Sequence, residues 1–299
     1  KGSTGVRPEP GKGSTGVRPE PGKGSTRVVC YNILAECYCS SEYSMNQLFG
    51  YCEREYLALE YRLQLVVREL LSYQAHIVCL QEVDKKAYTG LLKPFLSTQG
   101  YTVSHFTQKD TAMNEGCATF VRDGAYEVVV HVDLALGECM EQLGHLDKAF
   151  QACPHAREIL VEHLGMIGQI TVLRPLSYES SAQKVSGEDV HLLLVANTHL
   201  FYHPLAEYVR LLQTDVIARC LSDLAAYCAA QACKEDSTGS LRDYHYPGAT
   251  VIPGVNPDLR AGEGAQGSVS VIFMGDFNST LETAVLEYFQ KGTIGPEHE

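Results

Sequence analysis

The chain lacks any apolar run of the roughly 18 residues that a membrane-crossing helix needs, so no transmembrane helix is expected. It is short of positive charge, with 24 Lys+Arg against 36 Asp+Glu and a formal net charge of −12. That balance excludes a protein that coats nucleic acid or an anionic membrane by charge alone. It leaves room for a local basic pocket, or for phosphates handled through a divalent cation. No CxxC pair occurs among the 11 cysteines, and several lie in apolar runs such as His76–Leu80. They read as reduced, buried thiols of an intracellular protein, not as a disulfide frame or a zinc site. The start has no apolar stretch of the signal-peptide kind, and its Pro and Gly argue against the amphipathic helix of a mitochondrial presequence. Mitochondrion and cytoplasm both stay open as compartments.

What is present is a chain of 299 residues, 45% hydrophobic, enough for a sizeable core. Residues 1–26 are a repeat: Lys1–Gly11 recurs intact as Lys12–Gly22, and a third copy breaks off at Arg27. With one apolar side chain per copy this tail is expected to be disordered. From residue 27 to 299 the pattern is α/β, expected as one domain. Apolar runs at Arg27–Leu34, His76–Gln81, Cys117–Arg122, Val190–Thr198 and Val269–Asp276 predict strands. Three- and four-residue apolar spacing predicts helices over Arg54–Tyr73 and Leu205–Ala230. The Gly- and Pro-rich stretch at about 231–267 is expected as a surface insertion.

Chemistry gathers where the strands end. The first predicted strand delivers Asn32, the second Glu82, the fourth His199, and the fifth Asp276 followed by Asn278. Each alone is an ordinary turn residue, but in layered α/β proteins polar groups at strand ends are how sites are built. Glu82 and Asp276 are hard oxygen ligands suited to Mg²⁺ or Mn²⁺. Asn278 can donate to a phosphate oxygen without adding negative charge, and His199 can donate a hydrogen bond or a proton. Ser279 with Glu282 three residues on reads as a capping box whose helix would turn its positive end toward Asp276 and Asn278. Other signals carry no function. Gly262–Gly267 matches the dinucleotide glycine pattern but precedes a strand instead of following one. His155, Glu158 and Glu162 read as a solvated helix face. Cys37 and Cys39 lack zinc spacing. Asn278–Thr280 fits a glycosylation sequon that the site assignment argues against.

The ordered segments Tyr31–Leu34, Leu80–Asp84, Gly116–Phe120, Asn197–Leu200 and Gly275–Ser279 resemble the endonuclease/exonuclease/phosphatase superfamily. Within it the chain is similar to the deadenylase and 2′,5′-phosphodiesterase branch, on Tyr208–Gln213 and Gly292–Glu299. The resemblance spans Arg27–Glu299 and implies a four-layer α/β sandwich, deoxyribonuclease-I-like, with two mixed sheets flanked by helices. It implies Mg²⁺-dependent phosphodiester cleavage in which Glu82 binds metal, Asn32 supports it, Asp276 orients or activates water, and Asn278 and His199 contact the phosphate. Pro204 falls where deadenylases set a proline against the terminal adenine. Arg210 and Gln213, on one helix face, could hold phosphate or a base edge or could simply be solvated. The substrates implied are RNA 3′ ends or 2′,5′-oligoadenylate, with no membrane or DNA partner expected and the oligomeric state open. Relatives continue to a further aspartate and a Ser-Asp-His motif that this chain lacks. The resemblance therefore implies an incomplete core and poor activity. Two alternatives stand beside it: a small-molecule or lipid phosphatase of the same fold, and an inactive binding protein.

Overall fold

A computed structural model describes residues 17–22, 24–144, 146–176, 190–232, 240–254 and 267–292. The first sheet holds β1 (Val28–Asn32), β2 (Ile77–Asp84), β3 (Val103–Gln108) and β4 (Glu115–Val121), in the order β1-β2-β4-β3. β1 runs parallel to β2 and the other pairs are antiparallel. All eight residues of β2 are buried, the apolar run Ile77–Leu80 as expected of a strand covered on both faces and Gln81, Glu82 and Asp84 as buried polar groups at its end. The second sheet holds β5 (Tyr126–Ala135), β6 (Ile167–Pro175), β7 (Val190–His199), β8 (Ala249–Pro253) and β9 (Gly267–Asp276), in the order β8-β5-β6-β7-β9. Here β7 and β9 are parallel.

The sheets face each other across Ile77, Cys79, Val121, Val128, Leu173, Leu193, Val195 and Met274. The helix Leu59–Tyr73 packs Leu63, Val66 and Leu70 on the outer face of the first sheet, and the helix Glu207–Ala232 packs Val216, Cys220 and Leu224 on the second. The result is the expected four-layer sandwich with two mixed sheets. No described helix is long and apolar enough to cross a membrane.

Several boundaries differ from the sequence expectation. The helix expected over Arg54–Tyr73 breaks at Ala58, whose ψ of 133° is not helical. Arg62 there donates from Nε to the Leu57 carbonyl at 2.9 Å and from a terminal nitrogen to Ile33 and Leu34. The break thus fastens the helix to the loop after β1. The stretch 231–267 is not simply an insertion: Gln231 and Ala232 finish the long helix, Leu241, Tyr244 and Tyr246 enter the core, and β8 pairs with β5. The described end of the repeat tail touches the domain. Arg18 N–H donates to Ser72 O at 2.8 Å, and Arg122 grips Glu20 at 2.8 and 2.9 Å. Those contacts are polar, which is why apolar content did not announce them. The rest of the repeat, Cys233, most of the Gly262–Gly267 pattern and residues 293–299 lie outside the described residues.

Candidate active site

Asn32, Glu82, His199 and Asp276 come from the last residues of β1, β2, β7 and β9, and the structure brings them together where both sheets end. Asn32 is the link between the layers. Its Nδ2 donates to Glu82 Oε1 at 2.7 Å and to Asp276 Oδ2 at 2.9 Å, and its Oδ1 accepts the Leu34 N–H at 2.9 Å. Glu82 is aimed there by a bulge in β2 between Leu80 and Val83, where it takes φ +54°. A non-glycine residue in that region is strained by roughly 1–3 kcal/mol. The bond from Ala35 N–H to Glu82 Oε2 at 2.9 Å, with that from Asn32, holds it in place.

Burial pushes the Glu82 carboxyl up from its ordinary value, and the bonds from Asn32 and Ala35 pull it back. His199 is pushed down to about 4, first by burial and then by the nearby Lys109, with Asp276 opposing. Its Nε2 stands 3.9 Å from both Glu82 Oε1 and Asp276 Oδ2.

Asn278 sits at φ +47° beyond β9. Its backbone N–H donates to Asp276 Oδ1 at 3.0 Å, and one N–H of its amide is given to Leu200 O at 2.9 Å. The capping box is not formed. Ser279 donates to Phe277 O, the helix runs over Ala284–Lys291, and its first N–H is capped by Glu207 of the long helix.

Arg210 and Gln213 do not line the cavity and are not solvated either, being 3% and 1% exposed. Arg210 donates to the carbonyls of His203 at 2.6 Å, Pro204 at 3.3 Å and Phe201 at 3.4 Å. Gln213 Oε1 accepts the Phe201 N–H at 3.0 Å. A buried guanidinium spent on carbonyls holds a loop, so both residues shape the 201–204 turn. Pro204 is exposed on that turn.

A cavity of about 560 Å³ opens over the carboxylates. Tyr38, Leu48, Met113, Phe201 and Tyr202 give it an apolar and aromatic wall, opposite Glu82, His199, Asp276 and Asn278. Sequence reasoning missed Tyr38, Lys109 and Glu115. The Lys109 Nζ to Glu115 Oε1 ion pair, at 2.7 Å, is almost fully buried, and Tyr38 O–H donates to the same oxygen at 3.0 Å. The available signal was a glutamate opening the otherwise apolar run of β4. Next to the site a polar network stitches the sheets, with Gln81 Nε2 donating to Asn197 Oδ1 at 2.7 Å and Asn197 Nδ2 donating to Leu80 O and Ala118 O. Metal-cage patterns of three or more His, Cys, Asp or Glu do not occur among the described residues, and His155, Glu158 and Arg157 form surface ion pairs.

Paired mixed sheets with carboxylates, an amide and an imidazole gathered at one end make this a four-layer α/β sandwich with a polar site at its strand ends. The chain belongs to the Endonuclease/Exonuclease/phosphatase family, whose sequence profile matches residues 30–161. It is 31% identical over 276 residues to mouse 2′,5′-phosphodiesterase 12, covering 91% of this chain and 37% of that protein. It is 27% identical over 283 residues to the fission yeast CCR4-Not complex 3′-5′-exoribonuclease subunit Ccr4, covering 91% of this chain and 35% of that one. The chain thus spans little more than a third of the length of these curated relatives. The solved structure of ANGEL2, a 2′,3′-cyclic phosphatase, superposes with a TM-score of 0.57 at 18% identity, covering 89% of this chain and 56% of that one, which establishes the fold.

Proposed function

We propose that the chain carries the catalytic centre of a divalent-metal-dependent phosphodiesterase that releases AMP from RNA 3′ ends or from 2′,5′-oligoadenylate. The observation that carries this reading is the convergence of Glu82, Asp276, Asn32 and His199 under one cavity with an aromatic wall. The relatives' names, a 2′,5′-phosphodiesterase and a 3′-5′-exoribonuclease, supply the substrate class.

The donor set fits a hard cation. Each of the four oxygens of Glu82 and Asp276 accepts one hydrogen bond and keeps capacity for another. Mg²⁺ is held through one or two carboxylates with retained waters, and needs no larger cage. Glu82, with Asp276 beside it, would hold the ion, with Mn²⁺ as a substitute; when bound it supplies Lewis-acid polarisation of the phosphoryl oxygen. The protein groups do the rest. Asn32 keeps two carboxylates close together in spite of their repulsion. Asp276 orients the attacking water. His199 and the second amide N–H of Asn278 donate to phosphate oxygens as negative charge builds on them. Phe201, Tyr202 and Tyr38 offer faces on which an adenine can stack, and Arg210 and Gln213 fix the loop that carries the first two and Pro204.

The test is AMP release from 3′,5′-oligo(A) and 2′,5′-oligo(A), with Mg²⁺ or EDTA, by this chain and by a form carried further along its reading frame. Release that needs Mg²⁺ and is abolished by Glu82→Ala is expected. If neither form releases AMP the reading falls, and release of inorganic phosphate from small phosphoesters instead would move the phosphatase reading ahead.

A further inference from the structure

The Lys109 ammonium stands 3.3 Å from His199 Nδ1 and 2.7 Å from Glu115 Oε1, and both Lys109 and Glu115 are buried. Lys109 follows β3 and Glu115 opens β4, and the Lys109 N–H donates to the Glu115 carbonyl at 3.0 Å, so the β3–β4 connection fixes both ends of the pair. The O–H of Tyr38 completes the row by donating to Glu115. A lysine ammonium has three donors and no acceptor. Whatever nitrogen of a neutral imidazole meets it must therefore be the bare one. We infer that Lys109, anchored by Glu115, is a positioning residue that holds His199 in the tautomer with Nδ1 bare and the proton on Nε2.

The consequence rests on the phosphodiesterase reading. The Nε2 atom is the one that stands 3.9 Å from Glu82 Oε1 and from Asp276 Oδ2, so its proton is on the side of the ring that faces the carboxylates and the cavity they share, where a phosphate would bind. In this tautomer His199 is a donor to the developing charge and cannot take the proton of the attacking water. The opposite tautomer would turn a lone pair toward two carboxylates and an anionic substrate. A carboxylate in place of Lys109 would select that opposite tautomer, because it would need Nδ1 to carry hydrogen. A buried lysine whose own charge is matched by Glu115 gives the donor form without leaving a net charge behind the ring.

The first test is made on the unaltered chain, labelled with ¹⁵N-histidine at neutral pH, with the His199 signals identified by their loss in His199→Gln. Long-range ¹⁵N–¹H correlations should show Nδ1 as a bare imine nitrogen and Nε2 as the protonated one. A protonated Nδ1 overturns the assignment. The second test uses Lys109→Met/Glu115→Gln, which removes both buried charges at once, and Lys109→Arg, which keeps a donor-only group. The double variant should show mixed tautomers and at least a tenfold lower kcat for AMP release with KM within about twofold, while Lys109→Arg keeps the Nε2–H form. A double variant with the unaltered tautomer and kcat also overturns the assignment. The expected tautomer without any AMP release would sink the phosphodiesterase reading and leave the role of Lys109 standing.

Discussion

Gly275 is the residue through which packing and chemistry can be perturbed together. It faces Thr198 in the parallel β7–β9 ladder, one position before His199 faces Asp276. A Cβ built on Gly275 would lie 2.3 Å from the Thr198 carbonyl oxygen and 2.9 Å from Thr198 Cγ2. Real Cβ atoms do not approach backbone oxygens closer than 3.0 Å, so Gly275→Ala must open the ladder by about 0.7 Å there. Overpacking of this kind costs about 1–3 kcal/mol, which at roughly 2–4 °C per kcal/mol for a domain of this size lowers Tm by roughly 2–12 °C. The same displacement passes directly to His199 and Asp276. A misplacement on the order of 1 Å costs on the order of a hundredfold in rate, so AMP release should fall well beyond what the stability loss explains. Gly90→Ala is the control, since no heavy atom lies within 4 Å of its added carbon. Thermal unfolding and AMP release are measured side by side. A Gly275→Ala variant with Tm and kcat both unchanged would refute the reasoning, because the ladder would then have slack that the geometry denies it.

Three further expectations follow from the same geometry. His131 is buried against His105, with ring centroids 4.2 Å apart, and burial with that neighbour pushes its pKa from 6.5 down to about 3. Below pH 6.5 the unfolded chain takes a proton that the folded one refuses, so stability falls as pH drops from 6.5 toward 3, by about 2 kcal/mol at pH 5; urea midpoints against pH should show this slope, and His131→Gln should flatten it. Arg210→Met strips the 201–204 turn of its bonds to three carbonyls and should cost about 2–3 kcal/mol, with faster proteolysis at Tyr202–Leu205; unaltered cleavage kinetics would contradict the loop-holding role. Mg²⁺ at a hundredfold excess over its dissociation constant should stabilise the chain by about 2.7 kcal/mol, and Glu82→Ala should abolish that rise in Tm, whereas an equal rise in the variant would place the ion elsewhere.

Which parts of the site could be read from the sequence follows from what each signal depends on. Asn32, Glu82, His199 and Asp276 were legible because each ends an apolar run, a purely local pattern. The strands β3, β5 and β6 were not singled out. β5 carries His131 and Asp133, and β3 carries His105 and Thr107, polar groups satisfied by partners on other strands, as in the 2.8 Å contact of His105 Nε2 with Asp133 Oδ1 and the 3.0 Å contact of His131 Nδ1 with Thr171 Oγ1. Ser279 and Glu282 gave a sound local cap signal that lost to a distant one, the Glu207 carboxylate on the Ala284 N–H. Arg210 and Gln213 were placed on the correct helix, but their burial depends on a turn that folds back over them. Lys109 and Glu115 are matched charges brought together by a hairpin, and no periodicity marks such a pair.

The bond pair made by Asn32 has a consequence for how the molecule fails. Glu82 belongs to the first sheet and Asp276 to the second, and one amide nitrogen reaches both. The centre is therefore a property of the seam and of neither layer. Asn32 shares the first sheet with Glu82, so any motion that parts the sheets, even one leaving every strand intact, pulls Asp276 off that common donor and dismantles the centre before it unfolds the chain. Chemistry here acts as a gauge of sheet docking, and partly active intermediates with one layer loosened have no structural basis.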